Sequence, residues 1–118
     1  MPIVRFYPSG DDGPVRRYLE SLRGDPRRKD AWAKLTVDLA VLQSEGLRSG
    51  QITVKKVVGV RGSVWEIVRP FERMAYRIYF CLHKREAWLI HWAEKKSRRI
   101  PARDVELIGK RSKEVFGR

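Results

Sequence analysis

The chain has a single cysteine, two histidines and only 14 acidic residues against 26 lysines and arginines in 118 positions. A lone Cys81 leaves no partner for an internal disulfide, and no apolar run is long enough for a signal h-region or a membrane-spanning helix. A soluble, cytoplasmic protein is therefore expected. The two histidines lack metal-ligand spacing, which argues against a zinc hydrolase. The missing glycine-rich phosphate loop argues against a nucleotide-triphosphate enzyme, and the missing Gly-x-Ser-x-Gly elbow against a serine hydrolase. No metal and no cofactor is implied. Repeats, low-complexity tracts and linkers are also lacking, so residues 1–118 read as one domain, burying roughly two thirds of the unfolded surface.

The deficit of acid leaves a formal charge of +12. Arginine-rich codon usage alone can raise charge, but an excess of this size favours nucleic acid, an acidic protein or an anionic membrane surface as partner.

What is present is organised around residues 63–101. Three short runs, Val64 to Val68, Met74 to Leu82 and Ala87 to Trp92, are rich in residues that suit a pleated surface. The breaks between them are too short for crossover helices, so the runs should form an antiparallel meander. Alternation places Tyr76, Ile78 and Phe80 on one face and Arg77, Tyr79 and Cys81 on the other. Trp88, Ile90 and Trp92 are assigned a shared, core-packed face by the same rule. Directly afterwards come Lys95, Lys96, Ser97, Arg98 and Arg99, and Pro101 opens a helix running to about Val115.

Ahead of the meander, Ile3 to Tyr7 reads as an edge strand stopped by Pro8. From Pro14, the apolar positions Val15, Tyr18, Leu19 and Leu22 recur at helical spacing as far as Gly24. Asp25 and Pro26 should start a second helix carrying Trp32, Leu35, Leu39 and Leu42 and ending at Gly46. This hairpin needs an apolar surface, so it should cover one face of the sheet and leave the other open. Residues 47–62 read as irregular or briefly extended, and the last helix, with its narrow stripe, as lying beside the sheet. The fold class is α+β.

The order of strand, helical hairpin, meander, basic run and final helix resembles the HigB-like branch of the RelE/ParE toxins. So do WEI at Trp65 to Ile67, YRIYF at Tyr76 to Phe80, LIH at Leu89 to His91 and KKSRRIP at Lys95 to Pro101. The resemblance implies a RelE-like fold and a type II toxin, usually an endoribonuclease cutting mRNA on the ribosome. It also implies an antitoxin, of helix-turn-helix type and encoded adjacent, as partner, and no membrane. The same fold serves ParE-like DNA gyrase poisons, and an inactive phage-derived protein that only binds nucleic acid or a partner is a third reading; the basic run favours RNA. By motif position Arg77, Lys95 and Lys96 match the family's functional cations. Two departures stand out: Val68 occupies the place after WEI where the family commonly has arginine, with Arg69 following, and a C-terminal tyrosine used by some relatives has no counterpart.

Cleaving RNA through its 2′-hydroxyl requires a group that takes that proton, charge opposite the phosphorane, and a proton for the leaving oxygen. Arg77 suits the phosphorane, the alternative being an ion pair with Glu66. Lys95 and Lys96 lie among like charges that lower a lysine pKa and so can supply a base, the alternative being a solvated charge run. His91 titrates nearest neutrality but also reads as a hydrogen-bonded core histidine. Arg69, Arg73, Tyr79, Arg98 and Arg99 complete the candidate RNA contacts, Tyr79 by stacking on a base. His83 reads as a surface residue.

Overall fold

The computed structural model describes residues 2–97 and 99–118. In chain order the elements are β1 (Ile3–Phe6), α1 (Pro14–Arg23), α2 (Lys29–Glu45), β2 (Val54–Lys56), β3 (Val64–Phe71), β4 (Met74–His83), β5 (Glu86–Glu94) and α3 (Ala102–Phe116). The strands form one mixed sheet in the order β1-β5-β4-β3-β2, with β1 parallel to β5 and every other pair antiparallel. This is the α+β, RelE-like architecture that the sequence leads one to expect.

The first helix begins where its proline dictates. Gly13 precedes it, and a Cβ there would stand 1.6 Å from the Tyr7 carbonyl oxygen, so only glycine fits. Val15, Tyr18, Leu19 and Leu22 are all buried. The second helix starts at Lys29 rather than at Pro26, because the Asp25 side chain is spent on the preceding turn. Its Oδ1 accepts the Arg27 N–H at 2.9 Å and its carbonyl accepts the Arg28 N–H at 3.0 Å. Gly46 ends the helix at φ 83, a left-handed conformation that favours glycine.

The two helices cover one sheet face, burying Ile67, Tyr76, Ile78, Phe80, Ala87 and Leu89 against Leu22, Leu35 and Leu42. Fully buried leucines of this kind contribute about 1.5–3 kcal/mol each. Asp38 of α2 is also inside, where it accepts Arg69 Nε–H at 2.9 Å. A buried carboxylate is stable only with such a partner.

The opposite face is not open, as expected, but covered by α3. Val57, Val64, Tyr79, Cys81, Trp88 and Ile90 form a second core with Ile108 and Val115 of that helix. The reason lies in the sheet, whose second face is itself largely apolar where α3 crosses it. A stripe as narrow as Ile108, Ser112 and Val115 suffices to close it.

A β-bulge corrects a second expectation. Tyr79 pairs with His91 but Phe80 pairs with Leu89, leaving Ile90 as an extra residue. Parity flips across it. Trp88 and Ile90 face α3, whereas Trp92 faces the hairpin and stacks on Tyr18 with centroids 3.9 Å apart. The same flip turns His91 toward α3, beside Tyr79.

Both meander turns, Glu72-Arg73 and Lys84-Arg85, are two-residue loops with φ between 48 and 66 at every central residue. That is the sign the right-handed twist of a hairpin requires, achieved here without glycine.

Candidate functional site

Beneath the start of α3, strands β3 and β4 bring Glu66 and Arg77 together. Arg77 Nη1 donates to Glu66 Oε1 at 3.1 Å, with the two residues 3% and 7% exposed. Register explains the meeting: Glu66 lies opposite Tyr79 and Arg77 opposite Val68, so the pair sits on a diagonal of one face. The contact is incomplete. Glu66 Oε2, Arg77 Nε and the Tyr79 hydroxyl are buried with no hydrogen-bond partner among the described residues. Three orphaned polar atoms on adjacent side chains leave hydrogen-bonding capacity that native interiors seldom waste.

A cleft of about 380 Å³ reaches Glu66 of this pair, with Lys55, Lys56 and Arg99 around it and Ile100 and Val105 as its apolar side; Arg77 and Lys95 are not among its lining residues. Lys55 stands directly across the strands from Glu66. Lys95 approaches from the end of β5, where its backbone N–H meets Ala75 O at 3.1 Å. Its ammonium donates to the Arg99 carbonyl. Burial, first, and the neighbouring Arg77, second, lower the Lys95 pKa, with Glu66 and Asp104 pulling it back. The sequence-level reason for a depressed lysine was the adjacent run of cations; the structural reasons are desolvation and one buried arginine.

His91 sits on the same face but belongs to α3. Its Nε2 is 3.5 Å from Asp104 Oδ1, and Arg111 Nη1 approaches its Nδ1 at 3.4 Å while donating to Ile90 O at 2.6 Å. Burial lowers its pKa, Asp104 opposes that, and Arg111 and Lys95 add to it. A neutral imidazole that ties the bulge to the helix results.

The remaining candidates scatter. Lys96 is exposed, whereas Lys95 is half-buried. Arg69 is engaged by Asp38 on the hairpin face, and its guanidinium pKa is raised chiefly by that hydrogen bond. Arg73 occupies the tip of the β3–β4 turn, exposed. Tyr79 is 1% exposed and cannot stack on a base in this conformation; burial, then Glu66, raise its pKa and keep the phenol neutral. Arg99 lines the cleft. Arg98 lies outside the described residues. His83 is held at the surface by Arg118 O and the Phe116 ring edge. Cys81 is no nucleophile, since burial pushes its thiol up to about 12. Among the described residues no group of three or more His, Cys, Asp or Glu is placed to hold a metal ion. No helix among them is long and apolar enough to cross a membrane.

Sequence reasoning treated Glu66 only as a partner for Arg77, and Lys55 and Lys56 only as part of the irregular or briefly extended stretch 47–62. A signal was present: a carboxylate between Trp65 and Ile67 in an apolar run needs a use or a partner. What composes the cleft is the register of β2 on β3, which no local pattern reveals.

Residues 22–113, more than three quarters of the chain, match the family model described as phage-derived protein Gp49-like (DUF891), and the chain belongs to that family. The family is associated with RelE-like, toxin-like proteins. No curated protein and no solved structure matches the chain.

Proposed function

We propose that this chain is a toxin of the HigB-like kind that cuts ribosome-bound mRNA without a metal, using Glu66, Arg77 and Lys95. The observation that carries the reading is the buried Glu66–Arg77 pair, with one polar atom on each side chain unpartnered among the described residues, whose Glu66 lines a cleft rimmed by Lys55, Lys56 and Arg99.

In this reading the RNA backbone enters the cleft and displaces the bond from Lys95 to the Arg99 carbonyl. Glu66 Oε2 takes the proton of the 2′-hydroxyl, and the oxygen so released attacks the adjacent phosphorus. Arg77 and the rim cations hold the dianionic phosphorane, a charge-assisted contact in a site with little water. Lys95, its pKa lowered, gives its proton to the departing 5′-oxygen. The products are a 2′,3′-cyclic phosphate and a 5′-hydroxyl, and proton exchange with solvent restores both groups. His91 positions the bulge rather than touching substrate. An acidic antitoxin is the partner this reading implies.

The test is expression of the chain followed by mapping of transcript ends and plasmid supercoiling. Growth arrest with cut transcripts, abolished by Glu66→Gln in a folded protein, is the expected result. Arrest with intact transcripts and lost supercoiling would replace it with a gyrase poison. No arrest and no cutting by a folded chain would leave an inactive phage-derived binder.

A further inference from the structure

The sheet has two edges, and the chain closes only one of them. At β1, the amides of Ile3 and Tyr7 turn inward to Arg85 O and Leu89 O, so those of Val4 and Phe6 turn outward. Both are met by the chain itself: Val4 N–H reaches Gln43 Oε1 at 3.0 Å, and Phe6 N–H reaches Gly10 O at 2.9 Å.

At β2 the geometry is the same and the outcome different. Thr53 O accepts Val68 N–H at 3.0 Å and Val57 N–H donates to Val64 O at 2.9 Å, so Lys55 turns inward between them. The backbone groups of Val54 and Lys56 therefore turn outward, and among the described residues nothing meets them. Val58, which follows, is 88% exposed, the most open large apolar side chain among the described residues. An unpaired edge of this sort is a template for an added strand.

We propose that β2 is a docking edge that takes an extended, acidic segment of a protein partner as a sixth strand. The charge decides between occupants. A second copy pairing antiparallel about the middle of β2 would set Lys55 opposite Lys55, and like charges directly opposed destabilise a ladder. A nucleic acid has no backbone amide to continue one. An acidic strand answers Lys55 and Arg99 with the carboxylates of one face and rests the apolar side chains of its other face near Val58, on the side where Lys56 lies over Trp65. It would also lie across the mouth of the cleft that Glu66 lines. That blocking effect rests on the proposed cleavage function, whereas the docking itself does not.

The experiment uses the whole chain and a synthetic peptide of about eight residues alternating glutamate and valine. A second version carries N-methyl groups on the amides of the edge that would face β2. Exchange of backbone amides is followed by NMR. The expected result is a gain in protection of about tenfold or more at Val54 and Lys56, with the N-methylated peptide binding about tenfold more weakly, since ladder bonds supply the difference. Equal binding of both peptides would mean charge alone and overturn the proposal, as would protection confined to other amides. Protection of Val54 and Lys56 that grows with protein concentration in the absence of peptide would assign the edge to a second copy and overturn it too. The readout is amide exchange rather than RNA cleavage, so a chain that never cuts RNA still passes or fails it.

Discussion

Arg77 and Glu66 meet across strands β3 and β4 at 3.1 Å, buried to 3% and 7% exposure, yet each keeps one polar atom without a partner among the described residues. Removing one member leaves the other charged in a desolvated site. Arg77→Ala should destabilise the fold by about 3–5 kcal/mol, while replacing both residues with apolar ones of similar volume should recover most of that. Denaturant unfolding of the two single variants and the double variant checks this. An Arg77→Ala protein as stable as the parent would mean that water reaches Glu66 freely. The inference matters for activity assays, because loss of toxicity in Arg77→Ala does not separate chemistry from folding.

Glu66→Gln separates them better, since the amide keeps the shape and still accepts from Arg77, and denaturant unfolding of the same protein measures what the lost charge costs the fold. Its RNA cleavage should fall by roughly 10²–10⁴, the usual contribution of a positioned general base. Lys96→Gln, at an exposed position, should leave the cleavage step nearly intact. Single-turnover cleavage of a ribosome-bound message measures both, and a full-rate Glu66→Gln protein would remove Glu66 from the mechanism.

Affinity for RNA should depend steeply on salt. Lys55, Lys56, Lys95, Arg99 and their exposed neighbours can make about six phosphate contacts, for which a log-log slope of roughly −4 is expected on a single strand. Titrations between low and physiological salt give the slope. A value near zero would mean that the +12 charge is not used on nucleic acid.

The acid limb of stability should carry the signature of His91. Burial holds its folded pKa below the ordinary value, against the pull of Asp104 and with Arg111 and Lys95 on the same side. A depressed histidine binds fewer protons folded than unfolded, so stability falls as pH drops through about 6.5 and levels off below the folded value. Glu86 adds a separate loss at lower pH, because the Arg5 hydrogen bond holds its carboxyl down and that stability disappears as the carboxylate protonates. His91→Gln should flatten the fall in stability that begins as pH drops through about 6.5 and leave the later loss from Glu86 in place. An unchanged upper limb would show that the buried imidazole is not the group responsible.

The meander turns offer a gain rather than a loss. Arg73 and Arg85 both sit at φ 66, where a side chain is strained and glycine is not. Arg73→Gly and Arg85→Gly should each raise stability by about 1 kcal/mol, or somewhat less after the added freedom of the unfolded chain is counted. Thermal unfolding checks the sign. Destabilisation by both would mean that the arginine side chains make contacts worth more than the strain.

By itself the sequence determined everything that depends on local period. The stripe Val15, Tyr18, Leu19, Leu22 follows the helical repeat and is buried as a unit. Tyr76, Ile78 and Phe80 face the hairpin and Arg77, Tyr79 and Cys81 the other side, because alternation along β4 is unbroken. Gly46 ends α2 where a left-handed residue is needed. Only the tertiary structure decided the rest. The extra residue Ile90 in β5 separates Trp88 from Trp92 and carries His91 to the face of Arg77, and a bulge leaves no mark on an apolar strand whose residues all suit either face. The docking of α3 covers the face that carries Arg77, because a narrow stripe closes a face that is already largely apolar, and closure depends on the area opposite as much as on the helix. Glu66, Lys55 and Arg99 become one cleft through the pairing of β2 with β3 and the approach of Arg99 and Ile100, contacts between segments that do not adjoin in sequence and that no local pattern encodes.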